Sequence, residues 1–215
     1  SPCHAMIELV EKEIGQELIQ AHVIPYPIDK SVIKLINKSK NSKKVALLFA
    51  SRNDPVKGGE LLINALGLLP DNIKSKIQVE FYGYVPQCDL SHLPFLKVNE
   101  FVPNKYLVKA YQKADICIVP SLFDNSPNTV YEAMALGKII IASAVGGIPE
   151  IIGNKQNGYL FNSKDVNDLV MKLGDAIKMV SEGQCQSMRL NAQQRINTIS
   201  NLSTNTEQRL NLIGL

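Results

Sequence analysis

The sequence contains few cysteines and histidines, and neither residue type is spaced as metal sites or disulfide frameworks require. The three histidines are scattered, and the four cysteines are far apart, with no Cys-x-x-Cys pair: Cys3, Cys88, Cys117 and Cys185. These features argue against a structural zinc site and against a disulfide framework. Cys117 lies in the apolar run "DICIVPS", so we interpret it as a small buried hydrophobe.

Long apolar runs and a strong charge of one sign are also missing. No run approaches the ~20 residues of a membrane span, and no secretory leader is visible, so we expect no span in this chain and a reduced, cytoplasmic compartment. The net charge is only +3. Part of it is a lysine cluster that lacks interleaved arginines and aromatics: Lys30, Lys34, Lys38, Lys40, Lys43 and Lys44. We interpret this cluster as a solvated linker, not as a nucleic-acid or membrane patch.

The length of 215 residues permits one large domain or two small ones. The chain begins with Ser1 and not with methionine, and it enters an amphipathic segment directly. We therefore expect it to be a piece of a longer protein.

Apolar runs of strand length alternate with segments of helical spacing. The predicted strands are "AHVIPYPID", "KVALLFA", "KIQVEFYGY", "DICIVPS", "KIIIASAV" and "GYLF". The predicted helices are "CHAMIELVEKEIGQELI", "KGGELLINALGLL", "PNKYLVKAYQKA", "SPNTVYEAMALG", "GIPEII", "DVNDLVMKLGDAIKMV" and "EGQCQSMRLNAQQRIN". Strands that are apolar at successive positions are buried on both faces. The pattern therefore predicts an α/β fold, a Rossmann-like, doubly wound parallel sheet flanked by helices.

Ligands of such folds bind outside the carboxyl ends of the strands, and the first buried strand ends in "SRNDPVKGGE". Arg52 and Lys57 are expected at this edge, with Lys57 beside the next helix. Two cations near a helix N-terminus suit a diphosphate, because the unpaired N–H groups and the helix dipole already favour an anion. Gly58 and Gly59 would let the backbone approach the ligand closely. The alternative is that this segment is an ordinary polar loop between strand and helix and binds no ligand.

The strand "DICIVP" leads into "SLFDNSP", where two carboxylates lie on either side of a helix start. Ser126 and Pro127 predict the N-cap and the first helical residue. Asp124 precedes this helix, and Glu132 lies in its second turn among apolar residues. A carboxylate near the core needs hydrogen-bond donors, and sugar hydroxyls can supply charge-assisted bonds of roughly 1.5–3 kcal/mol each. Acids that merely complement the helix dipole are the alternative.

The strand "IIIASAV" ends in "GGIPEII". Gly146 and Gly147 predict a tight turn, and Pro149 the start of a short helix that contains Glu150. Such a turn permits close approach to a phosphate, but the spacing is not G-x-G-x-x-G, so it is not a dinucleotide fingerprint. The alternative that these glycines only form an ordinary tight connection is equally compatible with the sequence.

Six segments together carry a resemblance to a known family: "VIPYPID", "FASRNDPVKGGELLINAL", "FVPNKYLVKAYQKADICIVPS", "SPNTVYEAMALGKIIIASAVGGIPEII", "NGYLF" and "FYGY". The fourth is the most diagnostic, with its "EAMA-x-G" and "GG-x-PE" patterns. The chain resembles the C-terminal, donor-binding domain of a retaining glycosyltransferase of family 4 (group 1 type), which is one half of the GT-B fold. The first segment departs from the family's Pro-x-Gly-x-Asp pattern, because it has Pro27-Ile28 in place of the usual glycine.

The resemblance implies roles for the two carboxylates. The family has Glu-x7-Glu across this loop and helix, where the first acid contacts donor-sugar hydroxyls and the second contacts the ribose. The corresponding residues here are Asp124 and Glu132, so the first position carries the shorter acid. The loop 123–126 also departs from the family's Glu-Gly-Phe-Gly, and we expect it to be stiffer.

The resemblance also implies how the rest of the donor is bound. Arg52 and Lys57 match the two cations that neutralise the diphosphate leaving group, and these residues with the two carboxylates form the implied catalytic set. The amides of Asn128 and Thr129 match the phosphate-binding helix N-terminus, and the backbone near Val102 matches the base pocket. No metal site or cofactor is expected, and the donor is a UDP-, GDP- or ADP-sugar.

For the whole chain, the resemblance implies one donor-binding domain over residues 1–215, with residues 182–215 as a helical extension. The acceptor, a glycan or glycolipid, would bind to a missing N-terminal domain, which could also bring the protein to the inner membrane face. The chain alone is then expected to bind a nucleotide sugar without transferring it, and no nucleic acid is expected as a partner. Two alternatives are a nucleotide-sugar-binding module without transfer activity and a GT-B-type nucleotide-sugar epimerase.

Overall fold

The structure, a computed structural model, describes residues 1–18, 21–27 and 44–212. Its strands are β1 (Val45–Ala50), β2 (Ile77–Tyr82), β3 (Leu96–Asn99), β4 (Ile116–Val119), β5 (Ile139–Ser143) and β6 (Tyr159–Phe161). Its α-helices are α1 (His4–Ile14), α2 (Gly59–Leu68), α3 (Asp71–Lys74), α4 (Asn104–Lys113), α5 (Asn128–Ala135), α6 (Ile148–Ile151), α7 (Val166–Ser181), α8 (Gln186–Ile199) and α9 (Leu202–Leu212). A short 3₁₀ helix, Pro55–Lys57, precedes α2.

The six strands form one parallel sheet in the order β3-β2-β1-β4-β5-β6. This arrangement confirms the predicted doubly wound, Rossmann-like fold. The strand order reverses between β1 and β4, where Leu47 pairs with Ile116. At such a switch point the connections leave in opposite directions and open a crevice at the carboxyl edge.

Helices cover both faces of the sheet, as the apolar strands predict. All six residues of β1 are buried. Val45, Leu47 and Phe49 pack into the core beneath α2 and α7, and Leu48 and Ala50 pack on the other face beneath α4, α5 and α8. Truncation of a buried leucine to alanine in such a core typically costs about 2–5 kcal/mol. The rigid sheet therefore fixes where each strand delivers its terminal loop.

Two predicted elements near the start of the chain are wrong in extent or type. Of the predicted strand "AHVIPYPID", residues 21–27 form no strand, because Pro25 and Pro27 lack the N–H donors of a sheet ladder; residues 28 and 29 lie outside the described residues. Helix α1 ends earlier than predicted, since Gly15 adopts φ +69° and its N–H bonds to the Glu11 carbonyl at 2.9 Å.

Strand β3 was missed from the sequence. It lies at the edge of the sheet next to β2, and its four residues are exposed or half-buried, so it lacks the continuous apolar run of the central strands. The predicted lysine-rich linker cannot be compared, because it lies outside the described residues except for Lys44. In the described part of the chain, no helix is long and apolar enough to span a membrane.

Candidate functional site

A cleft of about 390 Å³ lies at the switch point, at the carboxyl ends of β1 and β4. All seven residues that the sequence predicts for the site line it: Arg52, Lys57, Val102, Asp124, Asn128, Thr129 and Glu132. The structure therefore brings together residues from four separate loops and helices. The parallel sheet explains this convergence, because it delivers the ends of β1, β3 and β4 to the same edge.

Lys57 and Asp124 form an ion pair inside the cleft. The Lys57 Nζ–Asp124 Oδ2 distance is 2.6 Å, and the side chains are only 23% and 11% exposed. The Ser121 hydroxyl lies 3.3 Å from the same carboxylate oxygen. Because the pair is largely shielded from water, its charges interact more strongly than those of a surface pair. Asp124 thus holds the Lys57 ammonium group at the switch point.

Glycines hold the Asp124 loop against its neighbours. Gly58 has φ +73°, and a Cβ there would lie 1.9 Å from the Pro120 carbonyl oxygen. A Cβ on Gly146, at φ +51°, would lie 1.9 Å from the carbonyl oxygen of Asp124, and one on Gly147 would lie 2.1 Å from the next carbonyl oxygen along the loop. These glycines allow backbone to approach backbone.

Gly58 and Gly59 both pack closely against protein groups, and their approach to a ligand stays a prediction. A Cβ on Gly59 would lie 2.3 Å from the ring of Tyr84. The loop that carries Asp124 is bound to the same connection by a 2.7 Å backbone hydrogen bond from Leu122 N–H to the Val56 carbonyl. The turn at Gly146 and Gly147 also packs on the Asp124 loop. This packing agrees with the alternative that the turn is an ordinary tight connection.

Helix α5 begins at Asn128, one residue later than predicted, and Ser126 is not its N-cap. Pro127 occupies the N-cap position without a side-chain capping bond. The Ser126 hydroxyl instead donates to the Tyr131 hydroxyl at 2.9 Å in a buried position. No described group accepts a hydrogen bond from the backbone N–H of Asn128 or Thr129. These two donors and the positive end of the helix dipole remain available at the cleft.

Glu132 lies in the second turn of α5, as predicted, and is paired with a residue that sequence reasoning missed. The buried Tyr111 hydroxyl, on α4, donates to Glu132 Oε2 at 2.9 Å. Burial raises the pKa of Glu132, and the bond from Tyr111 lowers it in part. Burial and the Glu132 charge raise the pKa of Tyr111 well above its usual value, so the phenol remains a donor. In the described part of the chain, no group donates to Glu132 Oε1.

The two ends of the cleft differ in character. Arg52 is exposed at the rim, and no described residue forms an ion pair or hydrogen bond with its guanidinium. On the side of β2 and β3, the lining is apolar: Val102 is half-buried and Phe101 is 66% exposed. The cleft thus runs from an uncovered aromatic ring to a charged pocket next to α5. Phe101 opens the segment "FVPNKYLVKAYQKADICIVPS", but the sequence assigned the base pocket only to the backbone near Val102.

Glu150, the acid of "GG-x-PE", does not line the cleft. Its carboxylate accepts hydrogen bonds from the backbone N–H groups of His4 and Ala5, each at 2.9 Å, and lies 3.0 Å from His4 Nδ1. Burial raises the pKa of Glu150, but the bonds from His4 and Ala5 outweigh it and lower the pKa overall. Glu150 therefore caps the N-terminus of α1. The helix that contains it, α6, begins at Ile148, one residue before the predicted Pro149.

No group of three or more His, Cys, Asp or Glu side chains that could hold a metal ion occurs within residues 1–18, 21–27 and 44–212.

Relatives of the chain are glycosyltransferases. It is 31% identical over 135 residues to D-inositol 3-phosphate glycosyltransferase of Mycolicibacterium gilvum, which covers 59% of this chain and 30% of the relative. It is 30% identical over 134 residues to an uncharacterized glycosyltransferase of Methanocaldococcus jannaschii, with coverages of 60% and 37%. The matched region is thus well under half the length of these curated relatives.

Solved structures share the fold at low sequence identity. A glycosyltransferase from Rickettsia africae superposes with a TM-score of 0.82 at 16% identity, over 98% of this chain and 61% of that chain. HepE from Anabaena, solved in complex with UDP, superposes with a TM-score of 0.78 at 18% identity, over 96% of this chain and 60% of that chain. These similarities confirm that the fold is the Rossmann-like domain found in GT-B glycosyltransferases.

A family model described as "Glycosyl transferases group 1" matches residues 33–195. This match covers all six strands and every described residue that lines the cleft except Tyr26. The chain therefore belongs to the group 1 glycosyltransferase family.

Proposed function

We propose that this chain is the donor-binding part of a glycosyltransferase that binds a nucleoside-diphosphate sugar for retaining transfer of the glycosyl group to an acceptor. The observation that supports it best is the convergence of Lys57, the N-terminus of α5 and Glu132 on one cleft at the switch point. HepE has been solved with UDP and with UDP-glucose, so uridine nucleotides are the first donors to test, ahead of GDP- and ADP-sugars.

In this proposal the diphosphate lies beside Lys57. Arg52, exposed at the rim, contributes the second cation, and the N–H groups of Asn128 and Thr129 donate to phosphate oxygens. All four residues line the same cleft. A helix N-terminus with unused N–H groups is favourable for an anion, and the two cations complete the neutralisation.

The remaining parts of the donor follow the course of the cleft. The base lies against the backbone near Val102, at the β3 side, and the ribose hydroxyls donate to the free oxygen of Glu132. The sugar lies near Asp124. Burial of Glu132 makes an unpaired charge costly, so the ribose hydroxyls supply the donors that its second oxygen lacks.

The chemistry needs charge stabilisation at two places. As the glycosidic bond to the diphosphate breaks, negative charge develops on the departing phosphate and positive charge on the anomeric carbon. Arg52, Lys57 and the α5 N-terminus are preorganised for the first charge, and such electrostatic stabilisation is often the largest contribution to catalysis. Because these groups neutralise the leaving group themselves, the proposed reaction requires no metal ion.

The acceptor, a glycan or glycolipid, would bind to an N-terminal domain outside this chain, and transfer would occur between the two domains. The isolated chain is then expected to bind the donor without transferring it. Transfer by the isolated chain to a simple glycan acceptor would contradict this part of the proposal.

A second candidate is a nucleotide-sugar-binding module without transfer activity. One observation favours it: Asp124, the shorter acid, is bound to Lys57 at 2.6 Å and so is not free to contact a sugar. Asp124→Glu in the complete protein separates the candidates. Increased transfer would indicate a compromised site, decreased transfer would indicate a site adapted to aspartate, and no transfer in either form would support the module.

The first test is a thermal-shift titration with UDP, GDP, ADP and their sugar conjugates. A ligand at 100 times its Kd stabilises the folded state by about 2.7 kcal/mol, which raises Tm by roughly 5–10 °C in a domain of this size. Lys57→Met should abolish the shift. Lys74→Met is the matched control, because Lys74 is equally shielded (24% against 23%) and is also ion-paired, but lies outside the cleft. No shift with any nucleotide would contradict the proposal.

A further inference from the structure

Tyr26 lines the candidate cleft together with Lys57 and Asp124, although it precedes the first strand of the sheet. It comes from the segment "VIPYPID", to which the sequence assigned no site residue. Its side chain is 42% exposed. An aromatic ring that lines a polar cleft and stays uncovered needs an explanation other than core packing.

The backbone of this segment is held by side chains at the end of α8 and on α9. The Ser200 hydroxyl donates to the Tyr26 carbonyl. Asn205 donates to the Pro25 carbonyl at 3.0 Å, and Arg209 donates to the same carbonyl at 3.2 Å. Ser200 and Asn205 are 4% and 5% exposed, so these bonds give hydrogen-bond partners to buried polar side chains.

The ring itself is also held. The Arg209 guanidinium lies 5.7 Å from the centroid of the Tyr26 ring, within cation–π range. Pro25 and Pro27 flank Tyr26 in the sequence, and proline restricts both its own φ and the conformation of the residue before it. Two helices and two prolines therefore fix the position of one exposed ring.

The segment that carries Tyr26 lies beside the Asp124 loop. The Ile24 N–H donates to the Ser1 carbonyl at 2.9 Å. Cys3, two residues after Ser1, packs against Gly147, where an added Cβ would lie 2.5 Å from the Cys3 Cβ and 2.1 Å from the carbonyl oxygen of the residue that follows Asp124. This loop follows β4, on the opposite side of the switch point from β3. Tyr26 therefore enters the cleft from the side of the Asp124 loop.

We infer that Tyr26 contacts the sugar of the bound donor and that Ser200, Asn205 and Arg209 are positioning residues for it. This inference rests on the proposed function. An aromatic ring offers an apolar face to the C–H face of a pyranose and a hydroxyl to a sugar hydroxyl. The C-terminal helices thus shape the donor site without lining it themselves.

The test is titration calorimetry on the chain with the best-bound nucleoside diphosphate and with its glucose, galactose and N-acetylglucosamine conjugates. The measured quantity is the ratio of Kd for the conjugate to Kd for the bare nucleotide. Tyr26→Ala should raise this ratio about five- to tenfold for the best-bound conjugate, with the bare nucleotide's Kd unchanged. Arg209→Gln should change the ratio in the same direction by a smaller factor.

Leu202→Ala is the matched control, since Leu202 is as exposed as Tyr26 (43% against 42%), lies on α9 with Arg209 and does not line the cleft. It should leave the ratio unchanged. If Tyr26→Ala leaves the ratio unchanged, or weakens the bare nucleotide as much as the conjugate, the assignment is wrong while the proposed function stands. If the unmodified chain binds no nucleotide, the proposed function fails and the assignment fails with it. Tyr26→Phe preserves the ring, so it should raise the ratio of the two Kd values less than Tyr26→Ala does. It also provides a test if Tyr26→Ala fails to fold.

Discussion

Lys57 and Asp124 are 67 residues apart in the sequence and form a 2.6 Å ion pair in the cleft. If the diphosphate of a donor binds to Lys57, it must compete with Asp124 for the same ammonium group. Displacement from Lys57 would free the Asp124 carboxylate to accept hydrogen bonds from sugar hydroxyls. Under the proposed function, the pair would therefore link recognition of the diphosphate to recognition of the sugar.

Asp124→Asn should strengthen binding of UDP by about three- to tenfold, because it removes a negative charge that repels the diphosphate and occupies Lys57. Transfer by the complete protein should fall, because the sugar loses its carboxylate partner. Calorimetry with the chain and activity of the complete protein check the two effects.

The control for Asp124→Asn is Asp168→Asn, which removes a carboxylate from a similarly shielded ion pair, with Lys172 at 3.4 Å, outside the cleft. It should leave UDP binding unchanged. A loss of UDP affinity in Asp124→Asn as large as that in Lys57→Met would show that Asp124 supports diphosphate binding and does not compete with it.

Glu132 should make the free energy of unfolding depend on pH. Its folded-state pKa is raised above the ordinary value of 4.5, chiefly by burial. The folded state therefore binds the proton more tightly than the unfolded state, so stability decreases as pH rises from about 4.5 to the folded-state pKa and then levels off. Denaturant titrations across this pH range should show that the free energy of unfolding decreases in the unmodified chain. The decrease should be smaller in Glu132→Gln.

Tyr111→Phe extends this test. Loss of the hydroxyl removes the only described hydrogen bond to the Glu132 carboxylate, so the pKa of Glu132 should rise further. The free energy of unfolding should then continue to decrease up to a higher pH. A pH profile identical to that of the unmodified chain would contradict the assigned pairing.

Glu150→Gln should loosen α1. The carboxylate accepts two backbone N–H groups at the start of this helix, and α1 has no buried residues of its own. Hydrogen exchange of the first-turn amides should therefore accelerate at neutral pH. Because the pKa of Glu150 is lowered overall, the stabilisation is present above the unfolded-state value and is lost as pH falls through the folded-state pKa. The variant and the unmodified chain should thus converge in acid.

Unchanged exchange in Glu150→Gln would show that other contacts hold α1. Donor binding should be unaffected, because Glu150 does not line the cleft.

Gly58→Ala should destabilise the fold far more than Gly15→Ala, although both glycines have positive φ (+73° and +69°). A Cβ on Gly58 would lie 1.9 Å from the Pro120 carbonyl oxygen, whereas one on Gly15 would meet nothing within 4 Å. The conformational cost alone is about 1 kcal/mol, so we expect about that for Gly15→Ala and more than about 3 kcal/mol for Gly58→Ala. Denaturant titration gives both values, and equal losses would mean that Gly58 matters only for its φ.

Much of the site follows from the sequence because strand periodicity and strand ends are local properties. The apolar runs of β1 and β4 require burial on both faces, which in turn requires a parallel sheet, and the polar residues after these strands must then meet at one edge. Arg52, Lys57, Asp124 and Glu132 are predictable on this reasoning and on the family resemblance. The cleft residue Phe101 and the edge strand β3 are not, because neither has the continuous apolar pattern of a central strand.

The sequence by itself determined the fold class, the family and the edge of the sheet where the site lies, since these depend on short-range patterns. Only the tertiary structure decided what each polar group contacts. It shows that Asp124 pairs with Lys57, that Tyr111 holds Glu132, that Glu150 caps α1, and that the C-terminal helices hold Tyr26 in the cleft. Such partners are distant in the chain and are selected by which buried polar groups must satisfy one another once the sheet and helices have packed.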